Sequence, residues 1–513
     1  MRLILNLKNL NKFITTQHFK LEDIRTVLKL VTKDCFVANI DLKDAYFLIK
    51  IHTDSRKYLR FTVNNKMYEF NVLPFGLCTA PYVFTKLMKP VVKLLREGGF
   101  MSSIYLDDLF LVGDTYQDCY QNIVTTKNVL VSLGFIINKE KSLFTPSTSC
   151  KYLGFIIDTC KWQISLPLEK RKFIKSELEK VINLKRCKIR LFARLLGLLA
   201  SACPAIEYGR LYTKELERSK FLNLKNNYDN YEAYMPISRS LLPDLNWWTD
   251  SIKHSVHRIL SDRYVLEVYS DASTTGWGAA CNGKTASGSW SNEEMLLHIN
   301  HLELLAAFFA LKIFVNGYNN CQVLLRIDNT TAVSYINRMG GVKYQHLNKV
   351  TKDIWQWCEA NKIFIFASYV KSSDNYIADF ESRRIHPDIE WSLTDLSFRN
   401  LKENLLDPQI DLFASRINKK CQKYVSWHRD PDAVAVDAFT LDWSHELFYA
   451  FPPFTLILKC LRKIIVDEAT GIMVVPNWPT QPWYPLFKRL VISDLITLDD
   501  NDIILPCYSK RNF

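Results

Sequence analysis

Asp107 and Asp108 stand side by side between two apolar runs, Ile104-Tyr105-Leu106 before them and Leu109-Phe110-Leu111-Val112 after, with Gly113-Asp114 closing the stretch. Two apolar runs broken by two polar residues predict a β-hairpin whose tight turn carries both acids. Like charges at one tip repel each other, and burial raises their pKa values unless a cation compensates. Divalent magnesium suits hard oxygen ligands of this kind. Taken alone, Tyr-x-Asp-Asp also describes a solvated acidic turn. Its meaning depends on whether the chain supplies the other parts of a metal site that handles phosphates.

At 513 residues the chain has room for roughly three or four domains. A hydrophobic content of 48% with 23% charged residues is that of a folded protein. The net charge of +13 suits a polyanionic partner, although it specifies none. Thirteen cysteines include no Cys-x-x-Cys pair, which argues against a zinc module or disulfide framework and for reduced thiols in an intracellular setting, cytoplasmic or nuclear. No apolar run reaches the length of a membrane span, and Met1-Arg2-Leu3-Ile4-Leu5 is too short and too soon polar for a secretory signal.

Arg2 to Leu7 reads as a strand, and Phe36 to Leu42 as another that ends on a carboxylate, Asp41. A single Asp after a strand would ordinarily be a cap or turn residue. Leu73-Pro74-Phe75-Gly76 makes a loop, and Thr79 with Pro81 opens a helix from Tyr82 to about Arg96. That helix carries Lys86, Lys89, Lys93 and Arg96, either a solvated face or one wall of a nucleic-acid groove.

In order, Asp41 with Asp44-Ala45-Tyr46, Leu73-Pro74-Phe75-Gly76, Tyr105-Leu106-Asp107-Asp108, Gly134-Phe135 with Lys139 and Lys141, and Tyr152-Leu153-Gly154-Phe155 form a set that resembles the ordered motifs of reverse transcriptases. The resemblance implies a right-hand polymerase palm in which Asp41, Asp107 and Asp108 hold two Mg2+ ions, with Mn2+ as a substitute. It gives Tyr46 the role of excluding a 2′-hydroxyl. Arg2, Phe75 and Lys139 or Lys141 become contacts for the incoming dNTP, with Phe75 standing where some members carry glutamine. Leu153-Gly154-Phe155 matches the segment that grips the primer. The remainder of the fingers is expected upstream of Arg2.

Farther on, Leu266 to Asp271 alternates and ends in an acid, and Gly276 to Ala280 returns as a second strand. Glu303 is the one acid in an otherwise apolar helix, and such a group is costly to bury unless paired or metal-bound. Val323 to Ile327 ends at Asp328, with Asn329-Thr330 capping the next helix, and Asp379 follows the strand Phe364 to Val370. Asp271, Glu303, Asp328 and Asp379 resemble the four-carboxylate set of RNase H. That likeness implies two further Mg2+ ions and an RNA–DNA hybrid as substrate. Where many members carry a histidine before the last aspartate, this chain has Lys371-Ser372-Ser373.

After residue 388 come Asp411-Leu412-Phe413-Ala414-Ser415, Asn418, Cys421, Tyr424 and Ala450-Phe451-Pro452-Pro453-Phe454. This resembles the phage-type adenine-N6 methyltransferase domain that DIRS-type retrotransposons carry after RNase H. Active members place an Asp or Asn before Pro-Pro to accept a hydrogen bond from the flipped adenine; Phe451 cannot, so the domain is expected to bind DNA or brace the chain without methylating.

The expected architecture is therefore mixed α+β and α/β in several domains. Partial fingers and palm span 1–160, thumb and connection 161–260, RNase H 261–388, a linker 389–405, and a methyltransferase-like domain 406–513. RNA template, DNA primer, RNA–DNA hybrid and dNTPs are the expected partners. A long-terminal-repeat polymerase segment and a decayed nucleic-acid binder are the competing readings. The first lacks the Cys-x-x-Cys half of an integrase zinc module; against the second stand seven intact carboxylates.

Overall fold

The computed structural model describes residues 5–254, 256–260, 263–384 and 391–504. The chain divides into two compact units, Met1–Ser261 and Asp262–Phe513. No described helix is long and apolar enough to cross a membrane.

The first unit is built on the strand Phe36–Lys43, whose alternating residues Ala38, Ile40 and Leu42 are buried. It pairs antiparallel with Asp108–Gly113, which continues the hairpin to Ser102–Tyr105. Its other edge takes Ile136–Ile137 and Leu143–Ser147. The helices Ala80–Glu97 and Tyr116–Ser132 supply Phe84, Met88, Leu95, Cys119, Ile123 and Leu130 to the same core. A reciprocal Thr115–Asp118 capping box starts the second helix. The first begins at Ala80 rather than Tyr82, and its Thr79 side chain makes no cap bond.

The expected strand at the amino terminus falls partly outside the described residues; Leu5 to Leu7 is irregular and packs beside Leu59 and Phe70. Beyond the central sheet lies a four-stranded antiparallel sheet in the order Val256–Arg258, Gln163–Ser165, Phe155–Asp158, Ser149–Tyr152. Helices Leu168–Ile182, Ile189–Ala202, Lys214–Asn226 and Leu242–Ser251 complete the unit.

The second unit opens with a five-stranded sheet in the order Lys284–Ser289, Gly276–Cys281, Leu266–Ala272, Gln322–Ile327, Phe364–Tyr369. The first two pairings are antiparallel and the last two parallel. The helix Ile299–Phe314 covers it with Leu302, Ala306 and Ala310. The short helix Tyr376–Ser382 lies directly on Gly278, where a Cβ atom would stand 2.2 Å from the Ala378 carbonyl oxygen and 2.3 Å from the Ser382 nitrogen.

A second sheet follows, all parallel, in the order Ala435–Val436, Lys423–Ser426, Ile410–Asp411, Phe448–Ala450, Gly471–Met473. The expected linker 389–405 is a correction: Ser392–Leu393 is a strand and Asp395–Asn404 a helix capped by Thr394. Leu393 and Leu401 are buried against Tyr449 and Phe451, so apolar spacing inside a polar-looking stretch outweighs its composition.

Close helix-on-sheet packing makes Gly278→Ala costly, by about 3 kcal/mol. Gly197, inside the helix Ile189–Ala202, has nothing within 4 Å of a would-be Cβ, so Gly197→Ala should stabilise by about 0.5–1 kcal/mol. Denaturant unfolding of the two variants checks both signs.

Candidate active sites

In the first unit, Asp41 and Asp108 are directly opposite each other across the antiparallel pair. The Leu42 N–H donates to the Asp107 carbonyl at 2.8 Å, which fixes the hairpin tip against the Asp41 strand. Tyr105 pairs with Asp108, so the turn consists of Leu106 and Asp107, and Asp108 is the first residue of the returning strand rather than a turn residue. Leu106 adopts φ +54°, a left-handed conformation that is strained for a side chain of its size and that the surrounding ladder imposes. Asp108 is pushed up to about 7, chiefly by burial, then by the Asp107 charge and by Asp41; Lys141 opposes the shift.

Around this tip, Tyr46 is buried in the short turn of helix Ala45–Leu48. Its ring stacks on Phe75 at 5.1 Å and leans on Phe84 at 5.2 Å. Burial, with the Asp107 charge second, pushes its hydroxyl up to about 12. Tyr46, Phe75 and the acidic tip are thus brought together. Lys139 and Lys141 lie in the exposed turn after Ile136–Ile137, and the Lys141 charge opposes the rise at Asp108. Leu153 and Gly154 form the two-residue turn of the hairpin Ser149–Tyr152/Phe155–Asp158, both with positive φ, and Phe155 is buried beneath the Lys170 ammonium at 4.8 Å. Arg2 lies outside the described residues.

Several residues that position this site carried no local signal. The Tyr152 hydroxyl donates to the Asp108 carbonyl at 3.2 Å, tying the Leu153–Phe155 turn to the acidic strand. The Asp41 N–H donates to the Ser142 hydroxyl at 3.0 Å. Arg96, expected on a basic face, is instead held by Glu22 at 2.7 Å, while Glu22 also accepts from the Ile104 N–H at 3.0 Å.

The second unit gathers Asp271, Glu303 and Asp328, whose carboxylate oxygens lie within 4.8 Å of one another. Parallel pairing of Leu266–Ala272 with Gln322–Ile327 brings the two strand ends together, and the apolar helix lowers Glu303 onto them. Asp271 Oδ2 and Glu303 Oε2 are buried and accept no hydrogen bond. Burial, followed by the Asp271 and Asp328 charges, pushes Glu303 up to about 9. Asp271 rises to about 6, mainly through burial. Two orphaned carboxylate oxygens in a crowded acidic cluster fit a divalent cation.

Asp379 is not part of this close trio. It accepts from Arg383 at 2.6 and 3.0 Å, although its charge still raises Asp271. In the loop where a histidine was absent, the Ser372 hydroxyl donates to Asp328 Oδ2 at 2.7 Å. The Asn375 amide donates to the Ser270 carbonyl at 3.1 Å and anchors the Asp379 helix to the Asp271 strand.

In the parallel sheet the chain proceeds to one side of Ile410–Asp411 and then returns to its other side, so a crevice opens at the carboxyl ends where the direction reverses. A cavity of about 370 Å³ occupies it, walled by Phe413, Arg416, Trp427, Asp430 and Phe451. Asp411 is buried beneath; its oxygens accept the N–H groups of Phe413 at 3.3 Å and Lys420 at 3.0 Å. Burial raises it to about 7.

Residues 1–157 match the family model for reverse transcriptase (RNA-dependent DNA polymerase). The chain carries a reverse transcriptase domain. It is 25% identical over 407 residues to the enzymatic polyprotein of Cauliflower mosaic virus (strain Strasbourg), covering 75% of this chain and 55% of the relative. The genome polyprotein of Petunia vein clearing virus (isolate Shepherd) is 22% identical over 395 residues, covering 75% of this chain and 17% of that polyprotein. The chain thus spans about half the length, or less, of these relatives.

Among solved structures, the foamy viral protease-reverse transcriptase in complex with RNA/DNA hybrid aligns at 19% identity and a TM-score of 0.43, over 71% of this chain and 48% of the other. Its dRH form in complex with double-stranded DNA aligns at 18% and 0.45, over 72% and 62%. The matched segment 1–157 holds Asp41, Asp107, Asp108, Tyr46 and Phe75 of the reverse transcriptase domain.

The raised carboxyl of Glu303 has a consequence for stability. Folding favours its protonated form, so the stabilisation is full below the ordinary value of 4.5 and is lost as pH rises through about 9. In the absence of metal, the thermal midpoint of the wild type should fall across that window, while Glu303→Gln stays flatter. Added Mg2+ should remove most of the difference.

Proposed function

We propose that this chain is the RNA-directed DNA polymerase and RNase H segment of a retroelement polyprotein of the DIRS type, copying RNA into DNA and degrading the RNA strand of the hybrid. The observation that carries the reading is the occurrence of two carboxylate centres in two compact units, one around Asp41 and Asp108 and one around Asp271, Glu303 and Asp328. The RNA template, DNA primer and dNTPs would meet at the first centre and the hybrid at the second, with the chain's net charge of +13 favouring polyanionic partners.

Asp41, Asp107 and Asp108 would hold Mg2+ in the first unit, and Asp271, Glu303 and Asp328, with Asp379, in the second. Bound there, such ions stabilise charge on the oxygens of a phosphodiester under attack. The chain's own groups do the rest. The Tyr46 ring, backed by Phe75 and Phe84, forms a rigid wall where a sugar 2′-hydroxyl would have to fit. The Leu153-Gly154 turn is fixed through Tyr152 to the acidic strand, which supports its reading as the primer grip. Lys139 and Lys141 offer cations to a triphosphate from the exposed turn, Lys141 being the nearer to Asp108 in effect.

For the carboxyl-terminal module, the crevice beside Asp411 and the position of Phe451 support a methyltransferase-like domain that no longer methylates. Phe451 is buried in the crevice wall and offers no acceptor to an adenine amino group. Incubation with S-adenosylmethionine and adenine-containing DNA is expected to leave the DNA unmodified. Methyl transfer would show that another group accepts the amine.

Primer extension on an RNA template with Mg2+, alongside cleavage of a labelled hybrid, tests the main reading. Asp107→Asn/Asp108→Asn should lose extension by at least about 1000-fold and keep cleavage, and Asp328→Asn should do the reverse. Loss of both activities in either variant would mean that the two centres are not independent. Tyr46→Ala should admit ribonucleotides; unchanged sugar discrimination would take the gate role away from Tyr46.

A further inference from the structure

The module after residue 391 touches the sheet-and-helix domain before it through side chains that meet one helix and the chain leading into it. Arg416, in the loop after Ile410–Asp411, donates to both oxygens of Glu294 at 2.8 Å and to the Ser289 carbonyl at 3.3 Å. Both side chains of this ion pair are more than four-fifths buried. The same guanidinium lies over the Phe309 ring at 4.5 Å. Phe309 packs edge-on against Trp277 at 5.5 Å and lies 6.0 Å from Trp290.

Glu294 stands just before the helix Ile299–Phe314, and its carboxylate also accepts the Ser291 N–H at 2.8 Å. Near the helix's other end, Lys312 pairs with Asp432 at 2.7 Å. The loops supplying Arg416 and Asp432 are themselves joined, because the Arg416 N–H donates to the Asp430 carboxylate. Two of these contacts, on Phe309 and Lys312, fall on the helix that carries Glu303, and those on Glu294 and Ser289 fall on the chain leading into it.

We propose that Arg416, assisted by Asp432, is a positioning residue for the second carboxylate centre: the carboxyl-terminal module clamps the Glu303 helix onto the Asp271 strand, so that Glu303 is in place before a cation binds. The physical need comes from the centre itself. Three carboxylates gathered within 4.8 Å drive their supporting elements apart whenever more than one is charged. Apolar packing holds the helix face down, but it is non-directional and leaves sliding along the sheet weakly opposed. A bidentate guanidinium that is also stacked on a ring fixes position and direction together. Holding the segment before the helix at Glu294, and the helix itself at Phe309 and Lys312, opposes its tilting away from the strand that bears Asp271.

This rests on reading the second centre as an RNase H-like metal site, and the test separates the two. In the Asp107→Asn/Asp108→Asn background, so that only the second centre takes up metal, Mg2+ binding is followed by calorimetry. Amide exchange of residues 302–312 is followed without metal. Arg416→Ala should speed exchange across the Glu303 helix and weaken Mg2+ binding about fivefold. The charge exchange Arg416→Glu/Glu294→Arg should recover most of both.

Primer extension, measured with Asp107 and Asp108 intact, should be unchanged by Arg416→Ala. If Arg416→Ala melts the module, Glu294→Gln, which keeps Arg416 and removes only the charge it pairs with, is read in the same assays with the same expected direction. Unaltered helix exchange and Mg2+ affinity in these variants would overturn the clamp while leaving the metal reading intact. Failure of the parent protein to bind Mg2+ at this centre would overturn the metal reading itself.

Discussion

Repulsion between like charges is the constraint around which this chain is built. At the 4.8 Å spacing of the second centre, two ionised carboxylates in a partly screened interior repel by about 3 kcal/mol. The protein meets this cost by rigid placement and by protonation. Each strand-end acid is carried on a ladder that cannot shift by one residue without turning a buried face outward. The raised carboxyls of Asp108 and Glu303 come first from burial, and the neighbouring acidic charges add to it. An apolar helix and a strained hairpin turn do the holding, and both would be poor choices if the acids were merely solvated.

The same constraint explains what could be read from the chain and what could not. Asp41, Asp108, Asp271 and Asp328 were legible because each adjoins an alternating or apolar run, Asp41 and Asp271 near its end, Asp328 just after it and Asp108 at its start. Glu303 was legible because an isolated acid in an apolar helix demands a partner. By contrast, Ser142 reaches Asp41 across 101 residues and Glu22 reaches Ile104 across 82, separations at which no local pattern speaks. Arg383 is different: it follows Asp379 by four positions on a helix, the spacing at which such pairs meet, so its hold on Asp379 could have been anticipated. The stretch 389–405 was misjudged because polar composition outweighed Leu393 and Leu401, whose burial depends on Tyr449 and Phe451 far along the chain.

Glycine and aromatic residues divide the remaining work. Gly278 lets the Asp379 helix rest on the sheet at backbone distance, bringing the Asp379 charge within electrostatic reach of Asp271. The stacked pair Tyr46–Phe75 gives the first centre a stiff apolar wall without adding charge to an already crowded site. Rigid rings lose little freedom when ordered, which suits the sugar-excluding role proposed for Tyr46.

The carboxyl-terminal module shows how one side chain can serve two places. Arg416 lines the crevice at the reversal point of the parallel sheet and at the same time grips Glu294 beside the Glu303 helix. Phe451 lines the same crevice and packs with Leu393 and Leu401, whereas the partners of Arg416 are Glu294 and Ser289. Replacing Arg416 alters the cavity wall and frees a buried carboxylate in the neighbouring domain. The loops of this module are therefore constrained by their contacts with the neighbouring domain as well as by the crevice they line. Under the proposed clamp those constraints fall on Arg416 and Asp432, with Asp430 joining the two loops that supply them.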